Sequence, residues 1–301
     1  MTIGKRPLAI ICATVAMTLV ASAQAPPVLS ERIGHTDPSR YRLSRSHGSE
    51  GDMACMTLVP RNAIPLLNFV HRCQITAPKG GVGHHFHNRN EEMFVIFDGE
   101  AEFTIDGRAS LLKGTVGAPV RMGHSHAIVN PTDRPVEFMN INVATTSGEY
   151  DAFDLQDSRV GAQKDPVPVF MTMRLDEKLM GPKDKMQSYR GGKGTVRYRR
   201  ALPPSVFLSN WSYMDHLIVT PASSEGLHRH PGVGEIYYVL NGSGEATVGG
   251  ETATIRKGDG VPILPDQPHS IVNSGTADLE LMIIGIAIEK GKLDTVELSK
   301  R

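Results

Sequence analysis

The sequence carries no net charge: 32 Lys and Arg balance 32 Asp and Glu. Nucleic acid and anionic membrane surfaces are held by a cationic field, so both are excluded as main partners. Long alternating-charge runs are also absent, whereas Gly (30) and Pro (20) are plentiful. That combination excludes a coiled coil or helical bundle and points to turn-rich β structure. Neither a Gly-x-Ser-x-Gly nucleophile motif nor a phosphate-cradling glycine loop is present, so any catalysis has to come from elsewhere. The 13 Met residues are scattered and form no copper-binding tract; they read as core filler.

Apolar runs are short, with one exception at the N-terminus. Lys5 and Arg6 precede the uncharged stretch Leu8–Val20, and Ala21-Ser22-Ala23-Gln24-Ala25 offers small-x-small cleavage sites after Ala23 or Ala25. This is the three-part pattern of a secretory signal peptide over residues 1–25, and its apolar part is too short to cross about 30 Å of hydrocarbon. The mature chain is expected to be soluble and periplasmic or secreted, with 30 basic against 32 acidic residues. Cysteine is scarce too. Of three, Cys12 leaves with the signal, and Cys55 and Cys73 remain to form one disulfide or to stay as two buried thiols.

What the chain does have is a repeat. Adding 143 carries Gly48 to Gly191, Gly51 to Gly194, Pro60 to Pro203, Pro78 to Pro221, His85 to His228 and His87 to His230. The same offset carries Glu92 to Glu235, Gly99 to Gly242, His126 to His269 and Asn130 to Asn273. The chain therefore divides into two copies of one domain, residues 47–147 and 190–290, joined by a linker over 148–189 in which Leu175–Met180 reads as a short helix. Short apolar strands punctuated by Asp98-Gly99, Asn241-Gly242 and Gly249-Gly250 indicate hairpins closed into a sandwich or small barrel. Trp211–Val219 also reads as a strand, with poorer alternation.

Each copy holds the same potential ligands. His85 and His87 lie two apart, so a strand aims both imidazoles at one face. Glu92 opens the next strand and His126 follows later; His228, His230, Glu235 and His269 repeat the set. Three imidazoles and a carboxylate suit a divalent transition metal (Mn, Fe, Co, Ni, Cu or Zn), two ions per chain. An octahedral ion so held keeps two positions for water, substrate or dioxygen.

These residues resemble the cupin superfamily. Its first motif, His-x-His-x4-Glu-x6-Gly, is matched by His85, His87, Glu92 and Gly99 and by His228, His230, Glu235 and Gly242; the end of its second, His-x3-Asn, by His126 and Asn130 and by His269 and Asn273. The resemblance implies an all-β chain of two double-stranded β-helix (jelly-roll-like) barrels in tandem, a bicupin. The upstream motif glycine is replaced by Lys79 and Ala222, and the Pro-x-Gly before the last histidine by Arg121 before Gly123 and by Leu264 before Asp266. Resemblance to quercetinase-like bicupins implies a metal-dependent dioxygenase-type oxidoreductase acting on a small oxygenated molecule, with Glu92 or Glu235 shifting between ligand and base. The alternatives are a lyase, decarboxylase or isomerase using the metal as Lewis acid, or a non-catalytic sugar- or acid-binding bicupin; a homo-oligomer is compatible with each. The tryptophan that oxalate-decarboxylase-like bicupins carry between the paired histidines is here Phe86 and Arg229.

A few further residues draw notice. His84 should point away from the metal, whereas His124 could share the face of His126 as a proton relay or lie exposed. Asn140 and Asn142 stand on an apolar strand, where an amide needs a partner or a polar pocket. Trp211 and Tyr213 could line the second pocket or simply pack.

Overall fold

The computed structural model describes Met1 and residues 27–155 and 162–299. The proposed signal segment beyond Met1 and residues 156–161 of the linker lie outside the described residues. The first copy builds two facing sheets. One is ordered Met173–Arg174, Val116–Val120, Asn90–Ile96, Val136–Ala144, Leu67–Ile75, Met53–Val59, Arg42–Ser44. The other is ordered Phe153–Asp154, Gly81–Phe86, His126–Val129, Glu100–Ile105, Arg108–Lys113, Gln163–Lys164. The second copy repeats this with a seven-stranded and a five-stranded sheet.

Alternation along the strands assigns side chains to two different cores. On Asn90–Ile96, Phe94 and Ile96 point into the first barrel with Phe103, Leu112 and Phe138, while Met93 and Val95 point outward. The outward set meets Met214, Ile236, Met282 and Ile284 of the second barrel. The two large sheets thus pack back to back, and their central strands are buried on both faces. That explains the poor alternation of Trp211–Val219, in which all nine residues are buried. Trp211 stacks on Phe207 in this inter-barrel core, with ring centroids 4.7 Å apart, and does not reach the second pocket.

The 148–189 stretch does more than connect. Its short strands add to sheets of the first barrel at Phe153–Asp154, Gln163–Lys164 and Met173–Arg174, and to the second at Lys185–Gln187. Within it, Glu177–Leu179 is a single 3-10 turn, where the sequence suggested a short helix. The N-terminal segment crosses over. Gly34–His35 pairs with Asp259–Ile263, and Leu29 and Ile33 are buried in the core of the second barrel. Cys55 and Cys73 are neighbours on adjacent strands and form a disulfide.

The departures from the motif keep its backbone. Lys79 and Ala222 adopt the left-handed conformation (φ +67° and +59°) that a glycine takes freely, and so does Asp266 (φ +64°). Arg121 gains a role of its own: its guanidinium donates to the carbonyls of Ser205 and Val206 in the second copy.

Candidate metal centres

Each set of four closes inside its barrel, fully buried, with one donor atom per residue lying within 4.8 Å of the others. The strand pairing brings this about. His126 lies opposite His85, and His269 opposite His228, so one ladder position carries two imidazoles in each barrel. The glutamates come from the facing sheet.

Backbone carbonyls fix the rings. Nδ1 of His85 donates to Gly83 O and that of His228 to Gly226 O, both at 2.8 Å. His87 donates to Asp151 O, and His230 to Asp294 O at 2.5 Å. His269 Nδ1 donates to Gln267 O at 2.9 Å. Every such bond turns Nε2 inward, the arrangement that presents a lone pair to a metal. Asp151 and Asp294 are themselves 143 apart, so the repeat runs past residues 147 and 290. Their carboxylates clamp the turn after the paired histidines, accepting from the backbone N–H of Asn88 and Arg89 in one barrel and of Gly232 in the other.

At the first centre, Glu92 Oε2 stands 2.9 Å from His126 Nε2, 3.4 Å from His85 Nε2 and 3.5 Å from His87 Nε2. Burial alone would raise its pKa. The surrounding imidazoles outweigh that and hold the carboxyl well below its usual range, so it is ionised. Burial takes His126 down to about 4, leaving it neutral. At the second centre, Glu235 Oε2 lies 2.9 Å from His269 Nε2 and 3.5 Å from His230 Nε2. It is likewise held ionised against burial, chiefly by His230 and His269, and burial pushes His228 down to about 2. The metal fits on an observation of the structure itself. Nε2 of His85, His87, His228 and His269 and Oε2 of Glu235 are buried without hydrogen-bond partners, an arrangement that is costly unless an ion satisfies it.

The other oxygen of each glutamate is held differently in the two barrels. At one ladder position Glu92 lies opposite Asn142, which lies opposite Phe69; at the matching position Glu235 lies opposite Gly285, which lies opposite Tyr213. Asn142 donates to Glu92 Oε1 at 3.1 Å and accepts from Asn68 at 2.8 Å. In the second barrel Tyr213 O–H donates to Glu235 Oε1 at 2.8 Å, and a Cβ on Gly285 would lie 2.3 Å from the tyrosine ring. Asn142 thus serves a ligand, and Tyr213 does reach the second centre.

The residues that the sequence left unread line the centres. His47, 143 positions before Arg190, stacks on His85 at 3.8 Å and hydrogen-bonds Asp154. Arg190 reaches His230 Nε2 at 3.0 Å and faces Glu225 at 3.5 Å. Glu225 is buried, and Tyr237 O–H donates to its Oε2 at 3.0 Å. Their signal was indirect: the repeated Gly48 and Gly191 follow His47 and Arg190. His84 is buried but is not one of the four. His124 is half exposed on Asp106, away from the centre, and Arg229 faces outward onto Asp266.

A model of the cupin domain matches residues 73–142 and again 216–285. Over 105 residues, 35% of this chain and 87% of the relative, the sequence is 33% identical to an oxalate-binding protein of Thermotoga maritima. The chain belongs to the cupin family. Most of the chain, both barrels included, superposes on solved structures. The oxalate decarboxylase of Lactobacillus farciminis in a formate complex matches with a TM-score of 0.60 at 16% identity, over 92% of this chain and 90% of that one. The Bacillus subtilis oxalate decarboxylase, in a study of its Mn(II) centres, matches with a TM-score of 0.57 at 19% identity, over 88% and 79%. At such identities these likenesses establish the two-barrel fold. Among the described residues no helix is long and apolar enough to cross a membrane.

Proposed function

We propose that the protein is a metal-dependent bicupin of the lyase type acting on a small carboxylic acid of the oxalate class. The observation that carries this reading is the half-buried guanidinium of Arg190, hydrogen-bonded at the three-histidine, one-glutamate set of the second barrel. A guanidinium next to a metal site suits a ligand with two anionic ends, one for each cation. The oxalate-binding relative supports the same substrate class. Both observations support the lyase alternative over the dioxygenase reading.

His85, His87, Glu92 and His126 hold one ion, and His228, His230, Glu235 and His269 the other, with Mn(II) as the leading candidate. The bound ion supplies Lewis-acid polarisation of the acid's oxygens. The protein's own residues do the rest. Glu92 and Glu235 remain ligands in this scheme, each fixed by a donor to its second oxygen. Arg190 orients the free carboxylate, and the closed barrel excludes water. In decarboxylation of a dicarboxylate the carbon–carbon bond breaks, carbon dioxide leaves and a proton returns to the remaining carbon, with no external oxidant. The test is incubation of Mn(II)-loaded protein with oxalate under anaerobic conditions. Formate and carbon dioxide in equal amounts are expected. Binding without turnover would favour the non-catalytic alternative, and turnover only with oxygen uptake would return the dioxygenase.

A further inference from the structure

Position 47 of the first repeat and position 190 of the second are built alike and filled differently. Both residues are left-handed (φ +51° and +53°), and both present their carbonyl to a glycine on the strand bearing the paired histidines. A Cβ on Gly83 would lie 1.8 Å from His47 O, and one on Gly226 2.1 Å from Arg190 O. The backbone therefore cannot retreat at either place, and each side chain is pressed against the metal set. Positive φ at a non-glycine residue costs free energy and persists where the surroundings impose it.

The first barrel uses an imidazole, His47, which stacks on His85 and leaves the Nε2 of His85 without a hydrogen bond. The second uses a permanent cation. Arg190 Nη1 engages His230 Nε2, the lone pair a metal needs, so among the six ligand imidazoles this is the one whose metal-facing nitrogen is held by a cation. An ion about 2.1 Å from that nitrogen would stand within about 5 Å of the guanidinium. Two positive groups would then share a buried site, and Arg190 would lose an acceptor. Tyr189, 5.1 Å below the guanidinium, and Glu225, 3.5 Å from it, flank the group on two sides. An anionic oxygen bridging ion and guanidinium removes both difficulties.

We infer that the second barrel takes up its divalent ion together with a carboxylate anion held by Arg190, whereas the first barrel binds its ion alone. This rests on the proposed function for the identity of the anion, and it makes metal and substrate uptake one linked event in a single barrel. Linkage is reciprocal, so the ion must raise the anion's affinity by the factor by which the anion raises the ion's.

The experiment is titration of chelator-stripped full-length protein with Mn(II), following free Mn(II) by electron paramagnetic resonance, in formate or in chloride at equal ionic strength. In chloride, one ion should bind tightly and the second at least tenfold more weakly; formate should tighten the second alone. His85→Ala, which keeps only the second centre, should show the formate dependence, and His228→Ala should not. Arg190→Gln should bind the second ion in chloride as well as in formate, while Arg190→Lys keeps the dependence; unchanged circular dichroism certifies both folds. Two ions bound equally well in chloride, or dependence that survives Arg190→Gln, would overturn the linkage and leave the metal-dependent function standing. Uptake of no Mn(II) at all would overturn both.

Discussion

The two barrels hold the same four ligands and surround them with different chemistry. Around the first set stand Asn142, Asn68 and the His47–Asp154 pair; around the second stand Tyr213, Arg190, Glu225 and Tyr237. The ligand set and its support therefore vary separately. Each glutamate needs a donor on its second oxygen, and either an amide on one strand or a phenol on the next can supply it, provided the other position makes room. Asn142 with Phe69 and Gly285 with Tyr213 are two solutions of one spatial problem.

The comparison breaks most visibly if the centres are not independent. His85→Ala and His228→Ala should each remove one of two metals per chain, and the double variant both, by elemental analysis of freshly purified protein. Loss of both ions from either single variant would show the barrels to be coupled. A smaller effect is expected one layer out. Asn142→Ala and Tyr213→Phe should weaken metal binding about tenfold, each in its own barrel only, as removal of a ligand's supporting hydrogen bond commonly does. The comparison sharpens if Asn142→Gly combined with Phe69→Tyr recovers most of that loss in the first barrel, since this transplants the second barrel's solution. Failure to recover would mean that the strands differ in more than these two side chains. The smallest effect concerns the turns. Ala222→Gly should stabilise the second barrel by about 0.5–1 kcal/mol in thermal unfolding, because it relieves a left-handed alanine.

The two four-residue clusters could be read from the sequence because the period of a strand and the repeat both announce them. His85 and His87 share a face by their spacing alone, and the constant offset ties Glu92 and His126 to Glu235 and His269. The two barrels followed from the same evidence. Asn142 was legible as an amide in need of a partner, although not which one. The rest was hidden for a physical reason. The offset finds positions where the copies agree, and the residues that distinguish the centres are those where they disagree: His47 and Arg190, Val82 and Glu225, Phe94 and Tyr237. His47 and Arg190 reach the metal sites only through tertiary folding, from a turn before the barrel, whereas Glu225 and Tyr237 stand on the strands that bear His228 and Glu235. The linker's edge strands were not legible because segments of two or three residues carry no periodicity, and their pairing is settled by the sheet they join.

The crossing of the N-terminal segment has a consequence in time. Leu29 and Ile33 are among the first of the described residues to be synthesised, yet Glu251, whose carboxylate accepts from the backbone N–H of Leu29, and the strand Asp259–Ile263 lie more than 200 residues further on. The first barrel can close while these two apolar side chains still wait in water, since contacts this distant in sequence form late. A nascent chain halted between the barrels would keep that segment open to proteases and chaperones. Once the second barrel has folded, the segment is covered, so its protection from proteolysis reports that synthesis and folding of both halves are complete.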